Sequence, residues 1–213
     1  FWPDDASPAR KLPRKAGNSL WSQRDAVMIT YGDSIIDGVH KPLDLLLDFM
    51  LNHLQGAVNG VHILPFFPFT SDDGFAVTDY RKVNPALGEW QDITRISRHF
   101  HLMSDLVCNH VSSQGTWFNA YRQGQEPFDK FFYEADPSED LSEVVRPRTT
   151  PLLQEVETAM GDRHVWCTFS HDQIDLNFEN PEVLLEILRI IRLHVDMGVR
   201  IIRLDAVAFI WKE

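Results

Sequence analysis

Apolar residues occur along the chain in short runs separated by segments of helical periodicity. Runs at 26–31, 61–65, 103–107 and 199–204 predict four buried strands. Between them, apolar residues after Pro42 and the Ile93–Ile96 spacing predict two helices. Strand–helix repeats of this kind favour a parallel sheet, and periodicity alone fits half a barrel or an open doubly wound sheet equally well.

A third helix has the clearest boundaries. Asn180 is a candidate N-cap, Pro181 suits the first helical position, and Gly198 suits the residue after the end. We predict one apolar face for this helix, made of Leu184, Ile187, Leu188, Ile191 and Val195. The strand that follows is almost wholly apolar, so we expect both of its faces to be covered.

Between 111 and 180 the periodicity disappears, and Gly, Pro, Ser and Asp recur. So long an irregular stretch within a compact domain is usually functional. We therefore divide the chain into a lead-in segment over 1–24, a first βα region over 25–110, an inserted loop-rich subdomain over 111–180, and a returning helix and strand over 181–213.

The composition argues against a nucleic-acid-binding protein and against a membrane protein. The 213 residues carry a formal net charge of −11, so we expect no nucleic-acid partner. No apolar run approaches the roughly 18 residues of a membrane span, and the first residues do not resemble a signal peptide. We expect a cytoplasmic protein with no membrane partner, and we interpret both ends of the sequence as cuts in a longer reading frame.

Cysteine and histidine usage points to no metal centre. Cys108 and Cys167 are too few for a disulfide scaffold, and apolar filling is the expected role of both. His101, His164 and His171 have no partners at ligand spacing, so we predict no metal site.

Polar side chains follow the predicted strands, at the ends where parallel α/β folds place their chemistry. Arg203 and Asp205 are two positions apart in one strand and share a face. A neighbouring guanidinium favours the ionised carboxylate, which is the form that attacks in glycosidic displacement. A structural ion pair at the rim of a sheet explains the same spacing, so both interpretations stay open.

Two further groups stand at strand ends. Asp105 and Asn109 share a face of the third strand, and His110 lies just beyond. His110 suits a sugar hydroxyl, a carboxylate or a metal, although a structural role is commoner for a lone histidine. The segment Asp72–Phe75 suits either a surface turn or an aromatic wall beside a carboxylate.

Together these motifs resemble the α-amylase superfamily, glycoside hydrolase family 13. Segment 105–110 is similar to its strand-three motif, and segment 198–207 is similar to its strand-four motif, which carries the nucleophile. Segments 61–68, 72–75, 146–148 and 165–169 resemble the sucrose-phosphorylase branch, and 21–34 resembles its glucosylglycerate-phosphorylase subgroup. The resemblance implies a (β/α)8 TIM barrel of which only the N-terminal half, about four βα units, is present, with a small subdomain inserted after strand three.

The resemblance also implies roles for single residues. Asp205 would be the nucleophile that forms a glucosyl ester, and Arg203 would hold it ionised. Arg148 would bind phosphate, with Arg146 a weaker candidate, and a solvated loop is the alternative for both. The implied partners are a small-molecule α-glucoside and inorganic phosphate as co-substrate, with no other cofactor. The implied substrate-binding residues are Asp72, Phe75, His110, Phe169 and Gln173.

The implied activity is that of a retaining α-glucoside phosphorylase. It would form α-glucose 1-phosphate from a sucrose- or glucosylglycerate-like substrate. Phe209 stands where sucrose phosphorylases usually carry Tyr, which counts against sucrose. The family's general acid/base belongs to a later strand, so we expect the isolated chain to be inactive. An α-glucoside hydrolase or transglucosidase, and a non-catalytic sugar-binding fragment, remain as alternatives.

Overall fold

A computed structural model of the protein describes residues 22–212, so most of the predicted lead-in segment lies outside the described residues. Eight strands occur there, and four of them form one parallel sheet in the order β1-β2-β3-β8. In chain order the strands are β1 (Val27–Thr30), β2 (Gly60–Ile63), β3 (His101–Val107), β4 (His110–Ser112), β5 (Leu153–Thr158), β6 (Gly161–Trp166), β7 (Gln173–Asp175) and β8 (Ile201–Asp205).

The parallel sheet has the topology of the first half of a (β/α)8 barrel. Its strands pair with their predecessors in the parallel direction. Helices α1 (Pro42–Phe49), α2 (Trp90–Ser97) and α4 (Pro181–Asp196) precede β2, β3 and β8 respectively. The four predicted strands and three predicted helices are confirmed, and a π-helical turn at Met50–Leu54 extends α1.

Helix α4 begins and ends at the predicted residues. The Asn180 side chain accepts a hydrogen bond from the Glu182 backbone N–H, and Pro181 is the first helical residue. Gly198 has φ +102°, and a Cβ there would overlap the Ser97 side chain, so the position favours glycine. These contacts fix the point at which the chain turns back into β8.

The predicted apolar face of α4 is partly wrong. Leu184, Leu188 and Val195 are exposed. The residues that pack inward are Val183, Glu186, Ile187, Ile190 and His194. Apolar side chains lie on several sides of this helix, so periodicity alone does not identify the side that faces the sheet.

The expectation that both faces of β8 are covered is also wrong for the described residues. Leu204 is 46% exposed and Arg203 is exposed as well. The cause is position in the sheet: β8 pairs with β3 on one side and has no strand on its other side within 22–212. Side chains of β8 therefore have neighbours from β3 along one edge of the strand and none from a described strand along the other edge, which leaves them partly exposed on both faces.

The segment between β3 and α4 is less irregular than predicted. It contains β4, helix α3 (Thr116–Arg122), the antiparallel β5–β6 hairpin and β7, which pairs antiparallel with β4. Buried aromatic side chains pack within it, namely Phe118, Tyr121, Phe131 and Phe132. The boundary that we placed after residue 110 falls inside β4.

The β4–β7 pair determines where the insertion meets the sheet. His110 follows β3 after two residues and lies opposite Asp175 in the pair. The pair therefore stands at the carboxyl edge of the parallel sheet, where chemistry collects in such folds. No helix within 22–212 has the length and apolarity that crossing a bilayer requires.

Candidate active site

Arg203 joins two carboxylates at the carboxyl end of the sheet. The parallel register places it opposite Asp105 and places Asp205 opposite Val107. The Arg203 Nη1 atom lies 2.5 Å from Asp105 Oδ1, and its Nη2 atom lies 2.9 Å from Asp205 Oδ1. The prediction that Arg203 and Asp205 share a face is therefore confirmed.

Asp105 is the most deeply buried residue of this group, and the sequence analysis assigned no role to it. Its side chain is fully buried, and its second oxygen lies 2.7 Å from Nε2 of His62 on β2. The Asp105 carboxylate on β3 therefore contacts side chains of both neighbouring strands, β2 and β8. Its contact with Arg203 holds that guanidinium beside Asp205. The shared face of Asp105 and Asn109 was the available signal, but the partner on β2 was not foreseen.

A second polar group lies beside the β4–β7 pair. The amide nitrogen of Gln173 is 2.9 Å from Asp72 Oδ2 and 3.1 Å from His110 Nε2. The Phe169 ring lies 4.9 Å from the His110 ring, between centroids. Phe75 lies close enough for its backbone to raise the pKa of the His110 imidazole. The five predicted substrate-binding residues thus lie together in the structure.

Comparison with known proteins identifies the family. The catalytic-domain model of the α-amylase family matches residues 32–213. The chain belongs to the α-amylase family. The family and its barrel fold, which two sequence motifs implied, are thereby confirmed.

Relatives within the α-amylase family include phosphorylases of small glucosides. A glucosylglycerate phosphorylase from Allomeiothermus silvanus is 52% identical over 202 residues, covering 95% of this chain and 36% of the relative. A sucrose phosphorylase from Streptococcus mutans is 35% identical, covering 88% of this chain and 40% of the relative. The chain therefore spans well under half the length of these relatives.

A solved structure supports the same assignment. The sucrose 6F-phosphate phosphorylase from Thermoanaerobacter thermosaccharolyticum superposes with a TM-score of 0.82 at 28% identity. The match covers 92% of this chain and 42% of that protein. The chain therefore shares its fold with part of that longer protein.

Burial, more than Arg203, governs the ionisation of Asp205. Burial raises the pKa of the Asp205 carboxyl above its usual value, and the charge of Arg203 opposes this rise. The nearby carboxylates Asp105 and Asp72 raise it further. Arg203 acts in the expected direction, but it offsets only part of the effect of burial.

His110 is neutral near pH 7. It is 1% exposed, and burial lowers its pKa to about 4. The Asp175 and Asp72 charges raise this pKa, while the Lys212 charge lowers it. A neutral imidazole both donates and accepts a hydrogen bond, which suits a sugar hydroxyl.

Lys212 and Asp175 form a buried ion pair that sequence reasoning missed. Lys212 Nζ lies 2.9 Å from Asp175 Oδ2 and 3.1 Å from Asn109 Oδ1, and its side chain is 7% exposed. This pair joins the segment after Asp205 to β7. The two residues are far apart in the chain and no pattern in the sequence connects them, so the pair is recognised only in the folded structure.

The aromatic residue Phe209 contacts a predicted sugar-binding residue, whereas among the described residues the two candidate phosphate-binding arginines have no hydrogen bond or ion pair to one. The Phe209 ring packs edge-on against the Phe169 ring at 5.4 Å between centroids. Arg146 is half-buried, with Nη1 3.5 Å from the Cys167 carbonyl oxygen. Arg148 is exposed, and within 22–212 it has no hydrogen bond or ion pair to another predicted site residue. The phosphate role of both arginines stays a prediction.

Both thiols are protonated and buried. Burial raises the pKa of Cys108 to about 11 and that of Cys167 to about 12. Among the described residues, no group of three or more His, Cys, Asp or Glu side chains could hold a metal ion.

Proposed function

We propose that this chain supplies the nucleophile and the donor-sugar site of a retaining α-glucoside phosphorylase. The observation that carries the proposal is the bridge from Asp105 through Arg203 to Asp205 at the end of β8. It holds one carboxylate at the strand end, beside the residues around His110 that suit a sugar. Such a carboxylate is the reacting group in retaining glycoside chemistry.

The reaction has two displacements. In the first, Asp205 attacks the anomeric carbon, the glycosidic C–O bond breaks, and the leaving oxygen takes a proton from a general acid. In the second, an oxygen of hydrogen phosphate attacks the anomeric carbon of the glucosyl ester and passes its proton back to the general acid/base, the ester bond breaks, and α-glucose 1-phosphate leaves with Asp205 restored. These steps need only carboxyl groups and phosphate, so we propose that no other cofactor takes part.

One reacting group must come from beyond the described strands. Retaining enzymes use two carboxyl groups about 5–5.5 Å apart, on opposite sides of the scissile bond. The family resemblance places the general acid/base after a fifth barrel strand, and the described parallel sheet has four strands. We therefore propose that residues 1–213 alone do not turn over substrate.

Glucosylglycerate is the donor that we favour. Three relatives named glucosylglycerate phosphorylase are 44–52% identical to the chain, whereas the similar sucrose phosphorylase from Streptococcus mutans is 35% identical. Phe209 packs against Phe169 at the position where sucrose phosphorylases usually carry Tyr. We also propose a cytoplasmic location, consistent with two free and buried thiols.

The test uses a full-length chimera. Residues 1–213 are joined to the part of the Allomeiothermus silvanus relative that follows the matched segment. The chimera is expected to release glucose 1-phosphate from glucosylglycerate only with phosphate present. Asp205→Asn should lower kcat by about 10⁴-fold or more, because the covalent step is lost.

A matched control is Asp196→Asn, which alters a surface ion pair with Arg192. It should leave kcat within twofold of the parent chimera. Near-parental phosphorolysis by Asp205→Asn would show that Asp205 is not the nucleophile. Donor binding without any turnover by the parent chimera would favour a sugar-binding role.

Hydrolysis or transglucosylation is the second candidate, because within 22–212 Arg148 has no hydrogen bond or ion pair to another predicted site residue. A phosphate site at Arg148 predicts that Arg148→Ala raises the KM for phosphate at least tenfold. If glucose release proceeds equally well without phosphate, and Arg148→Ala has no effect, the chain belongs to a hydrolase or transglucosidase.

A further inference from the structure

Four hydroxyl groups converge on the carboxylate of Asp172, a half-buried residue on the loop before β7. Thr70 Oγ1 and Ser71 Oγ donate to Oδ2 at 2.6 and 2.5 Å. Ser113 Oγ and Ser112 Oγ donate to Oδ1 at 2.8 and 3.2 Å. We call these five residues the Asp172 clamp. The Ser113 backbone N–H also bonds to the Asp172 carbonyl oxygen at 2.9 Å.

The clamp joins the three segments that carry the predicted sugar contacts. Thr70 and Ser71 directly precede Asp72. Ser112 belongs to β4, which His110 begins. Asp172 itself directly precedes Gln173 and lies three residues after Phe169. In the chain, Asp172 is 101 positions from Ser71 and 60 from Ser112, so the clamp is a tertiary contact that no local pattern encodes.

The segment that the clamp holds has an uncommon backbone conformation. Asp72 and Asp73 have φ values of +56° and +50°, in the left-handed region, which aspartate adopts more readily than most L-residues because its short side chain can hydrogen-bond locally. The clamp fixes the residue before Asp72, and the Gln173 amide fixes its side chain. The backbone and the side chain of this predicted sugar contact are therefore both held by residues of the loop before β7 and of β7 itself.

A carboxylate is suited to this junction. Burial raises the pKa of Asp172, but the hydrogen bonds from the four hydroxyls outweigh burial, and the net pKa lies below its usual value. Hydrogen bonds to a charged acceptor are about twice as strong as neutral ones. An asparagine at this position keeps the shape but loses one acceptor atom, so two of the four hydroxyls lose their partner.

We infer that Asp172 is a positioning residue for the donor sugar: the clamp holds the loops that carry Asp72, His110 and Gln173 at the spacing that binds one glucosyl ring. This inference rests on the proposed function for its substrate. Asp172 does not touch the reacting atoms and acts through the residues that it aligns.

The test introduces Asp172→Asn into the full-length chimera. The expected result is a fall of at least tenfold in kcat/KM for glucosylglycerate, since small misplacements of binding groups have effects of this size. The loss should be constant from pH 5 to 8, because the low pKa of Asp172 keeps it ionised across that range. In an Asp205→Asn background, the Kd for glucosylglycerate, measured by calorimetry, should rise by a similar factor.

The matched control is Asp136→Asn. Asp136 also accepts hydrogen bonds from a serine, Ser138, but on an exposed loop of the insertion. It should leave kcat/KM and Kd within twofold of the parent. If Asp172→Asn lowers thermal stability alone and keeps parental constants below its melting temperature, the clamp is only structural and the inference fails.

Two outcomes need a second measurement. If Asp172→Asn does not fold, Ser71→Ala decides: a fall of threefold or more in kcat/KM for the donor supports the inference, and an unchanged value overturns it. If the parent chimera shows no phosphorolysis, the proposed function fails, while a rise in Kd for the donor on Asp172→Asn still supports the clamp and an unchanged Kd overturns it.

Discussion

At the carboxyl end of the parallel sheet, Asp105, Arg203 and Asp205 lie on neighbouring strands whose register fixes the distances between them. Around His110, by contrast, the residues come from loops and a short antiparallel pair, and side-chain hydrogen bonds hold them together. The first group gains its geometry from backbone pairing. The second depends on contacts such as the Asp172 clamp, so single side-chain changes should disturb the two groups differently.

The largest expected effect is a loss of folding stability when Asp105, in the first group, is replaced. Asp105→Ala removes a fully buried carboxylate and leaves Arg203 and His62 without their shared partner. Losing two hydrogen bonds to a charged group, one from the buried His62 ring and one from the partly exposed Arg203, costs about 3–5 kcal/mol. Urea unfolding of the chimera, followed by tryptophan fluorescence, should show a loss of this order. The surface change Asp196→Ala should stay within about 1 kcal/mol. Equal losses for both variants would contradict the role assigned to Asp105.

A slightly smaller effect on folding stability, which depends on pH, is expected for His110 in the second group. His110 has a pKa of about 4 in the folded protein, below its usual value of 6.5. As pH falls from 6.5 to 4, the unfolded chain takes up the proton first, so folding stability declines, by up to about 3 kcal/mol for this residue. Above pH 6.5 His110 contributes no slope.

His110→Gln tests this origin. The free energy of unfolding should lose part of its dependence on pH between 4 and 6.5. A remainder is expected from His194, whose pKa burial also lowers to about 4. The exposed His53 provides the control, since His53→Gln should keep the full slope. A slope that survives in His110→Gln would place the acid sensitivity elsewhere.

The smallest effect concerns the residue after Asp205. Ala206 has φ +55°, a conformation that costs about 1 kcal/mol for alanine and little for glycine. Ala206→Gly should therefore raise the free energy of unfolding by about 0.5–1 kcal/mol. Ala208, in the short helical turn that follows, is the control, and Ala208→Gly should lower stability instead. Equal signs for the two variants would contradict the strain at Ala206.

The same contrast explains what could be predicted from the sequence. Spacing of two in β8 was enough to place Arg203 and Asp205 on one face, and the Asn180–Pro181 signal located the start of α4. The five sugar-binding candidates came from the family resemblance, because no local pattern joins residues of separate loops. They do lie together, although their roles stay a prediction.

What could not be predicted depends on tertiary contacts. The Asp172 clamp and the Lys212–Asp175 pair join segments that only the folded chain brings together. The balance at Asp205 was also missed, because burial cannot be read from the distance between an acid and a base in the sequence. The exposed residues of β8 reflect its place at the edge of the described sheet.

The central claim is that Asp205 forms a covalent bond to the donor sugar, and a trapped intermediate tests it most directly. The chimera is incubated with a fluorinated α-glucosyl donor that slows breakdown of the ester, then digested and analysed by peptide mass spectrometry. The account predicts a single glucosyl label on the peptide that contains Asp205. A label on another carboxylate, or inactivation of the enzyme without any label on that peptide, would contradict it.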